Sequence, residues 1–252
     1  MLTPSKTMDF QTPAPEFAVP TRPVFIDQAT TIRAQMATYS LRELGSLLHI
    51  SDELTTKVQR MYQDTVAKPA FWAYAGDVFR CVQAHTMTAD SARFAQRHVV
   101  VSSAVYGLVR PFDAIQPYRL EMQTKLSVGG SNSLYDFWGA KLAQYIATYR
   151  QSELLVLSSK EYSRAIIKHL LPDITVVTPV FLDTKPDGSV SQVPIYNKMM
   201  RGVMARWVID HRVADAIGIK SFTAHDYHYD EVESTDIAPV FRRKVMTPLV
   251  FE

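Results

Sequence analysis

The sequence is poor in cysteine and glycine. Cys81 is its only cysteine, which excludes an intramolecular disulfide, a CxxC redox pair and any zinc or iron–sulfur site built from several cysteines. The nine glycines in 252 residues are about half the usual share of roughly 7%. Neither GxGxxG nor GxxxxGK[ST] occurs, so the glycine-rich loops that hold dinucleotides and nucleoside triphosphates are excluded.

Long apolar runs and an excess of one charge are also missing. No stretch approaches the roughly 18 consecutive apolar residues of a membrane span, and the start of the chain lacks the apolar core of a signal peptide. The 27 basic and 25 acidic residues leave a net charge of only +2, so any charged function must come from local placement. We therefore expect a cytoplasmic protein without a membrane partner, and the 47% hydrophobic content is ample for a core.

The order of segments predicts a mixed α/β (α+β) fold in a single domain, residues 1–252. Five prolines in the first 23 residues predict an extended arm that lies across the body. Leucines at helical spacing, with Ser51 as an N-cap, predict two short helices joined by a tight turn at residues 41–62. Further helices are expected at 134–149, after Ser159 and at 197–212. Strands are expected near 99–101, 154–157, 174–182, 190–196, 222–229 and 240–245, with a hairpin turn at 186–188.

The helix at residues 197–212 has a basic side. A helical projection places Lys198, Arg201, Arg206 and Arg212 together, opposite a side of apolar residues. We expect Arg201 and Arg206 to lie off the core. An ordinary solvated face explains the same spacing equally well.

Two arginines lie in proline-braced loops beside aromatic residues. Arg110 precedes Pro111, and Arg119 follows Tyr118. Paired guanidinium donors suit a planar carboxylate or a phosphate. Structural ion pairs with Asp113 and Glu121 are the alternative, and the residues alone favour it slightly.

Metal and nucleophile motifs give weaker signals. His225 and His228 lie among three carboxylates, but residues three apart in a strand face opposite sides, so no ligand geometry follows. The serines at 158 and 159 do not form a GxSxG elbow. We predict no metal site and no cofactor.

Several motifs resemble those of the YaaA peroxide-stress family. Residues 3–10 resemble its opening S-P-A-K-T-L-D-[FY], and residues 76–79 resemble G-D-V-Y. Residues 106–111, 116–122 and 134–139 are similar to Y-G-[LV]-L-R-P, Q-P-Y-R-L-E-M and L-Y-x-F-W-G. Shorter matches follow in the family's order at 161–162, 180–183, 196–198 and 201–202.

The resemblance implies a cytoplasmic bacterial protein of the oxidative-stress response that lowers free intracellular iron. It also implies a central mixed sheet wrapped by helices, a positively charged cleft, a helix-hairpin-helix element and DNA binding. Among the departures of the sequence from the family pattern, two bear on the fold. Only two residues precede Thr3, so we expect a short first strand, and residues 49–51 lack the glycines of a standard helix-hairpin-helix.

The leading hypothesis is a monomeric protein whose basic cleft binds DNA phosphates with little sequence specificity. An enzyme that acts on a small anionic or nucleotide substrate in the same cleft is the alternative, with Tyr118, Glu121 and Asp136 as acid–base candidates. Direct iron sequestration by His225 and His228 ranks last. The predicted cleft residues are Lys6, Thr7, Arg110, Tyr118, Arg119, Lys198, Arg201 and Arg206.

Overall fold

A computed structural model describes residues 1–244. The N-terminal arm is extended and crosses the body of the protein. Leu2 forms isolated parallel bridges with Val101 and Leu157, so the first strand is as short as the sequence predicted. Further along, the amide of Asp9 donates to the carbonyl of Ala73 at 2.8 Å. These backbone bonds join the arm to three separate segments of the body, at Val101, Leu157 and Ala73.

Three helices follow the arm: α1 (Ile26–Ala37), α2 (Leu41–Leu48) and α3 (Asp52–Gln63). Ser51 is the predicted N-cap, and its hydroxyl accepts a hydrogen bond from the amide of Leu54. His49 ends α2 in the left-handed region, with φ of 51°. The two predicted short helices and their tight connection are therefore present, and we name α2, α3 and residues 49–51 the helix pair.

The middle of the chain alternates short helices and short strands. Strands β2 and β3 pair antiparallel, as do β1 and β4. Their bounds and those of the helices between them are β1 (Lys68–Pro69), α4 (Ala70–Ala73), α5 (Asp77–Val82), α6 (Ala89–His98), β2 (Val101–Ser103), β3 (Gly107–Val109) and β4 (Ala114–Ile115).

The C-terminal part contains a four-stranded mixed sheet in the order β8-β7-β10-β9. Strands β5 and β6 form a separate parallel pair. The fold is thus mixed α/β, as predicted, but its strands form several small sheets. The elements are α7 (Leu134–Trp138), α8 (Lys141–Ala147), β5 (Glu153–Leu155), α9 (Lys160–Ile167), β6 (Thr175–Val177), β7 (Val180–Thr184), β8 (Val190–Ser191), α10 (Pro194–His211), β9 (Tyr227–Tyr229) and β10 (Val240–Arg243).

A buried ion pair joins the two parallel strands of this sheet. Arg243 of β10 lies opposite Asp183 of β7, and both side chains are fully buried. The guanidinium donates to Asp183 Oδ1 at 2.6 Å and lies over the rings of Tyr196 and Tyr227. Tyr227 donates its hydroxyl to the same oxygen at 2.7 Å. These contacts offset part of the cost of burying the two charges.

Several predicted elements differ from the structure. The predicted strand at 174–182 is two strands of different sheets, β6 and β7, separated at Pro179, which has no amide to donate. The predicted strand at 222–229 begins only at Tyr227. The predicted strand at 190–196 ends at Ser191, because Pro194 occupies the first turn of α10, where a missing amide and a fixed φ are tolerated. The predicted helix at 134–149 divides at Gly139, whose φ is 46°. The predicted strand at 240–245 extends to Arg243, and Val245 lies outside the described residues.

Within residues 1–244, every helix is too short or too polar to cross a bilayer.

Helix α10 packs closely on α5 at Gly202. A Cβ atom at this position would lie 2.2 Å from the carbonyl oxygen of Val78 and 2.8 Å from Cys81 Cβ. Only glycine allows the two helix backbones to approach this closely. This contact sets the position of α10 relative to α5.

Buried tyrosines fix the loop at residues 116–122, which we name the anchored loop. Tyr118 is 2% exposed, and its hydroxyl lies 2.8 Å from both Tyr74 Oη and Ser103 Oγ. Tyr62 of α3 donates its hydroxyl to the carbonyl of Arg119 at 2.8 Å. Burial raises the pKa of the Tyr118 hydroxyl, so the group remains neutral. The anchored loop is therefore held by Tyr118, which bonds inside the core, and by Tyr62 of the helix pair.

Replacement of Gly202 by alanine should destabilise the protein. The added methyl group meets backbone and Cβ atoms that cannot rotate away, and such overpacking costs about 1–3 kcal/mol. Urea unfolding followed by circular dichroism measures the change. Met199→Ala, a half-exposed change on the same helix, is the control and should change the unfolding free energy little. Equal stability of G202A and the native protein would contradict the close packing.

Replacement of Tyr118 by phenylalanine should cost about 1–3 kcal/mol, because it leaves buried hydroxyl partners without a bond. Thermal and urea unfolding measure the loss. Tyr39→Phe is the matched control, because no hydrogen bond from the Tyr39 hydroxyl occurs within residues 1–244. An unchanged stability of Y118F would show that the hydroxyl does not hold the loop.

Candidate functional site

A cleft of about 490 Å³ opens between the arm, α5, the anchored loop and α9. The arm contributes residues 3–7, the start of α5 contributes 76–79, and the start of α9 contributes 159–162. Lys198 enters from α10. The cleft is therefore assembled from five segments that are far apart in the sequence.

Close contacts of the arm determine where these segments meet. The amide of Ala75 donates to the carbonyl of Thr7 at 2.9 Å. A Cβ atom at Gly76 would lie 2.2 Å from Ser5 Oγ. On the far side, the amide of Ser159 donates to Thr3 Oγ1 at 2.6 Å. The arm is thus attached at both edges of the cleft, and Lys6 lies between these attachments.

Two lysines of the cleft form ion pairs. Lys6 Nζ contacts Glu121 Oε1, and Lys198 Nζ lies 2.8 Å from Asp77 Oδ2. Asp77 also pairs with Arg80. The hydrogen bond from Lys198, helped by Arg80, lowers the pKa of the Asp77 carboxyl. Both lysines therefore have a carboxylate partner in the free protein.

The Arg119 guanidinium differs from the two lysines. Within residues 1–244 it has no hydrogen-bond or ion-pair partner, although its side chain lines the cleft. Burial lowers the pKa of Lys6, the positive charges of Arg119 and Lys198 lower it further, and Glu161 opposes the shift. Positive charges thus repel one another at this point, and an anion would relieve the repulsion.

The charges that line the cleft are balanced. Lys6, Arg119 and Lys198 face the carboxylates of Asp77, Glu121 and Glu161. Sequence reasoning missed Asp77 and Glu161 as site residues. Both lie in motifs that resemble the family, at 76–79 and 161–162, and this was the signal that could have found them. The cleft is consequently a mixed-charge site.

The other predicted cations lie elsewhere. Arg110 pairs with Asp113 at 3.1 Å, the alternative that the residues favoured. Arg206 pairs with Asp210 at 2.6 Å and also donates to the carbonyls of Val82 and Gln83, so it caps the end of α5 instead of standing off the core. Arg201 is half-buried and does not line the cleft. The basic side of α10 thus contributes only Lys198 to the cleft.

Of the other predicted site residues, some line the cleft and one lies elsewhere. Thr7 and Tyr118 line the cleft, but the Tyr118 hydroxyl bonds to Tyr74 and Ser103. Asp136 lies at the start of α7, where its carboxylate accepts from Ser133 Oγ at 2.7 Å. Among the acid–base candidates, Glu121 is the one whose carboxylate lies in the cleft beside a lysine.

The two histidines considered for metal binding are exposed near the C-terminal sheet. His225 has φ of 50° in a tight turn, and His228 lies on β9. Within residues 1–244, His, Cys, Asp and Glu side chains form no group of three or more that could hold a metal ion.

Comparisons with known proteins agree with these motifs. The family described as peroxide stress protein YaaA matches residues 1–233. A UPF0246 protein of Ralstonia nicotianae is 37% identical over 255 residues, which cover 97% of this chain and 98% of the relative. A UPF0246 protein of Burkholderia thailandensis is 37% identical over 257 residues, with the same coverage. The chain belongs to the peroxide stress protein YaaA family, a family of the oxidative-stress response.

Proposed function

We propose that this protein acts in the peroxide response by binding DNA in the cleft, with little sequence specificity. The observation that carries the proposal is the Arg119 guanidinium, which faces the cleft without an anionic partner in the part of the chain described. Contacts to phosphates supply affinity without reading sequence. Lys6 and Lys198 can add to the attraction by exchanging their carboxylate partners for phosphate oxygens.

The helix pair is a weaker candidate for the DNA contact. Asp52 and Glu53 occupy the first turn of α3, where their negative charges oppose a phosphate that approaches the connection. The pair instead supports the anchored loop through Tyr62. We therefore assign the DNA contact to the cleft and a supporting role to the helix pair.

An enzyme that acts on a small anionic or nucleotide substrate is the second candidate. Three carboxylates inside the cleft favour it, because neutralisation of a phosphate backbone does not need them. Glu121 beside Lys6 is the pair best placed for proton transfer. Catalysis and nucleic-acid binding would use the same cleft.

A reaction of peroxide with Cys81 is disfavoured by the state of this cysteine. Cys81 is buried, and burial raises the pKa of its thiol to about 12. The thiolate is the form that peroxide oxidises. We propose that the protein acts by binding DNA and does not consume peroxide through Cys81. Limitation of free intracellular iron and a cytoplasmic location stay predictions of the family resemblance.

Replacement of Arg119 by glutamine should weaken DNA binding about tenfold or more, equivalent to about 1.4 kcal/mol. Log affinity should fall linearly with log salt, and R119Q should reduce the magnitude of that slope by about 0.9, the contribution of one neutralised phosphate. Fluorescence anisotropy with a labelled duplex at several salt concentrations measures both quantities. Arg42→Gln, on an exposed position of the helix pair, is the matched control. A loss of binding in R42Q but not in R119Q would contradict the assignment.

Cys81 should resist iodoacetamide at pH 8 in the native protein. With a thiol pKa of about 12, only about one molecule in ten thousand carries the thiolate at that pH. Intact-mass spectrometry should show rapid alkylation only after unfolding in guanidinium chloride. Fast alkylation of the folded protein would overturn the view that this thiol is inert.

A further inference from the structure

The cleft has the size of a small-ligand site. Its volume of about 490 Å³ lies within the roughly 300–1,000 Å³ of ligand pockets. Its three cations all line this single cavity. A long stretch of backbone would need cations spread along its path, because duplex DNA carries one charge per roughly 1.7 Å of axis.

The carboxylates restrict the ligand further. Asp77, Glu121 and Glu161 would repel a second and third phosphate that entered the same space. Carboxylates accept hydrogen bonds, so they suit a ligand that brings donors together with one anionic group. The hydroxyls of a sugar and the amino group of a base are donors of this kind.

The cations favour a terminal phosphate over one inside a strand. A phosphate monoester carries about −1.5 to −2 charges at pH 7 and three acceptor oxygens, whereas a diester carries one charge. Arg119 is free of anionic partners within residues 1–244, and it lies close enough to Lys6 for their charges to repel. A dianion relieves this repulsion more fully than a monoanion.

We propose that the cleft recognises a single nucleoside monophosphate unit, with its terminal phosphate on Arg119 and Lys6 and the donors of its sugar or base on the carboxylates. The inference rests on the proposed function, in which the cleft binds nucleic-acid phosphate. The unit can be a free mononucleotide or the phosphorylated end of a strand, since both present the same group.

Calorimetric titration of the full chain with 2′-deoxyadenosine 5′-monophosphate and with 2′-deoxyadenosine tests the chemistry. The monophosphate should bind at least tenfold more tightly than the nucleoside. Its affinity should rise as the pH increases through about 6, where the second phosphate proton leaves. Arg119→Gln should weaken binding at least tenfold, whereas Arg97→Gln, an exposed arginine outside the cleft, should leave it unchanged. Equal binding by R119Q and the native protein would overturn the assignment.

A second arm tests the strand end as the source. A duplex with 5′ phosphates should bind at least tenfold more tightly than the same duplex with 5′ hydroxyls, and a closed circular duplex offers no ends. Preference for either the mononucleotide or the phosphorylated end supports the inference. If neither preference is observed, the inference is wrong. Undiminished binding of the closed circular duplex would in that case leave the proposed DNA binding intact. Binding of the mononucleotide with no binding of any DNA would support the cleft chemistry and refute the proposed function.

Discussion

The hydroxyl of Tyr118 holds the loop on which the candidate site depends. It bonds to Tyr74 and Ser103 inside the core, and the next residue, Arg119, is turned into the cleft. A buried hydroxyl without partners is costly, so the loop has little freedom to move its arginine away. The backbone that carries the unpaired Arg119 guanidinium is therefore held in place by buried tyrosines.

This arrangement separates structural roles from ligand roles within one short motif. In residues 116–122, Tyr118 faces the core, whereas Arg119 and Glu121 face the cleft. The helix pair supports the same loop from the side through Tyr62. A substitution of Tyr62 can therefore alter ligand binding without touching the ligand, whereas an exposed position of the helix pair has no such contact.

The sequence predicted much of the local structure and less of the site. Ser51 as an N-cap, the proline-rich arm and the turn at 186–188 follow from local chemistry, and the structure confirms them. Pro194 was misassigned because alternating apolar residues suggest a strand, whereas proline also suits the first turn of a helix. Arg206 was predicted to be a ligand-binding residue, because a helical projection gives the direction of a side chain but not the neighbour that lies there. Here that neighbour is the end of α5.

The carboxylates show the same limit most clearly. Asp77 and Glu161 are more than 80 residues apart, and only the fold brings them to the cations of one cleft. A nearly neutral composition is consistent with that result, since the site itself is balanced in charge. Amide hydrogen exchange with and without DNA tests the central claim most directly. The account predicts slower exchange in residues 3–7, 76–79, 118–123 and 159–162 when DNA is bound. Slower exchange confined to residues 41–62 would contradict it.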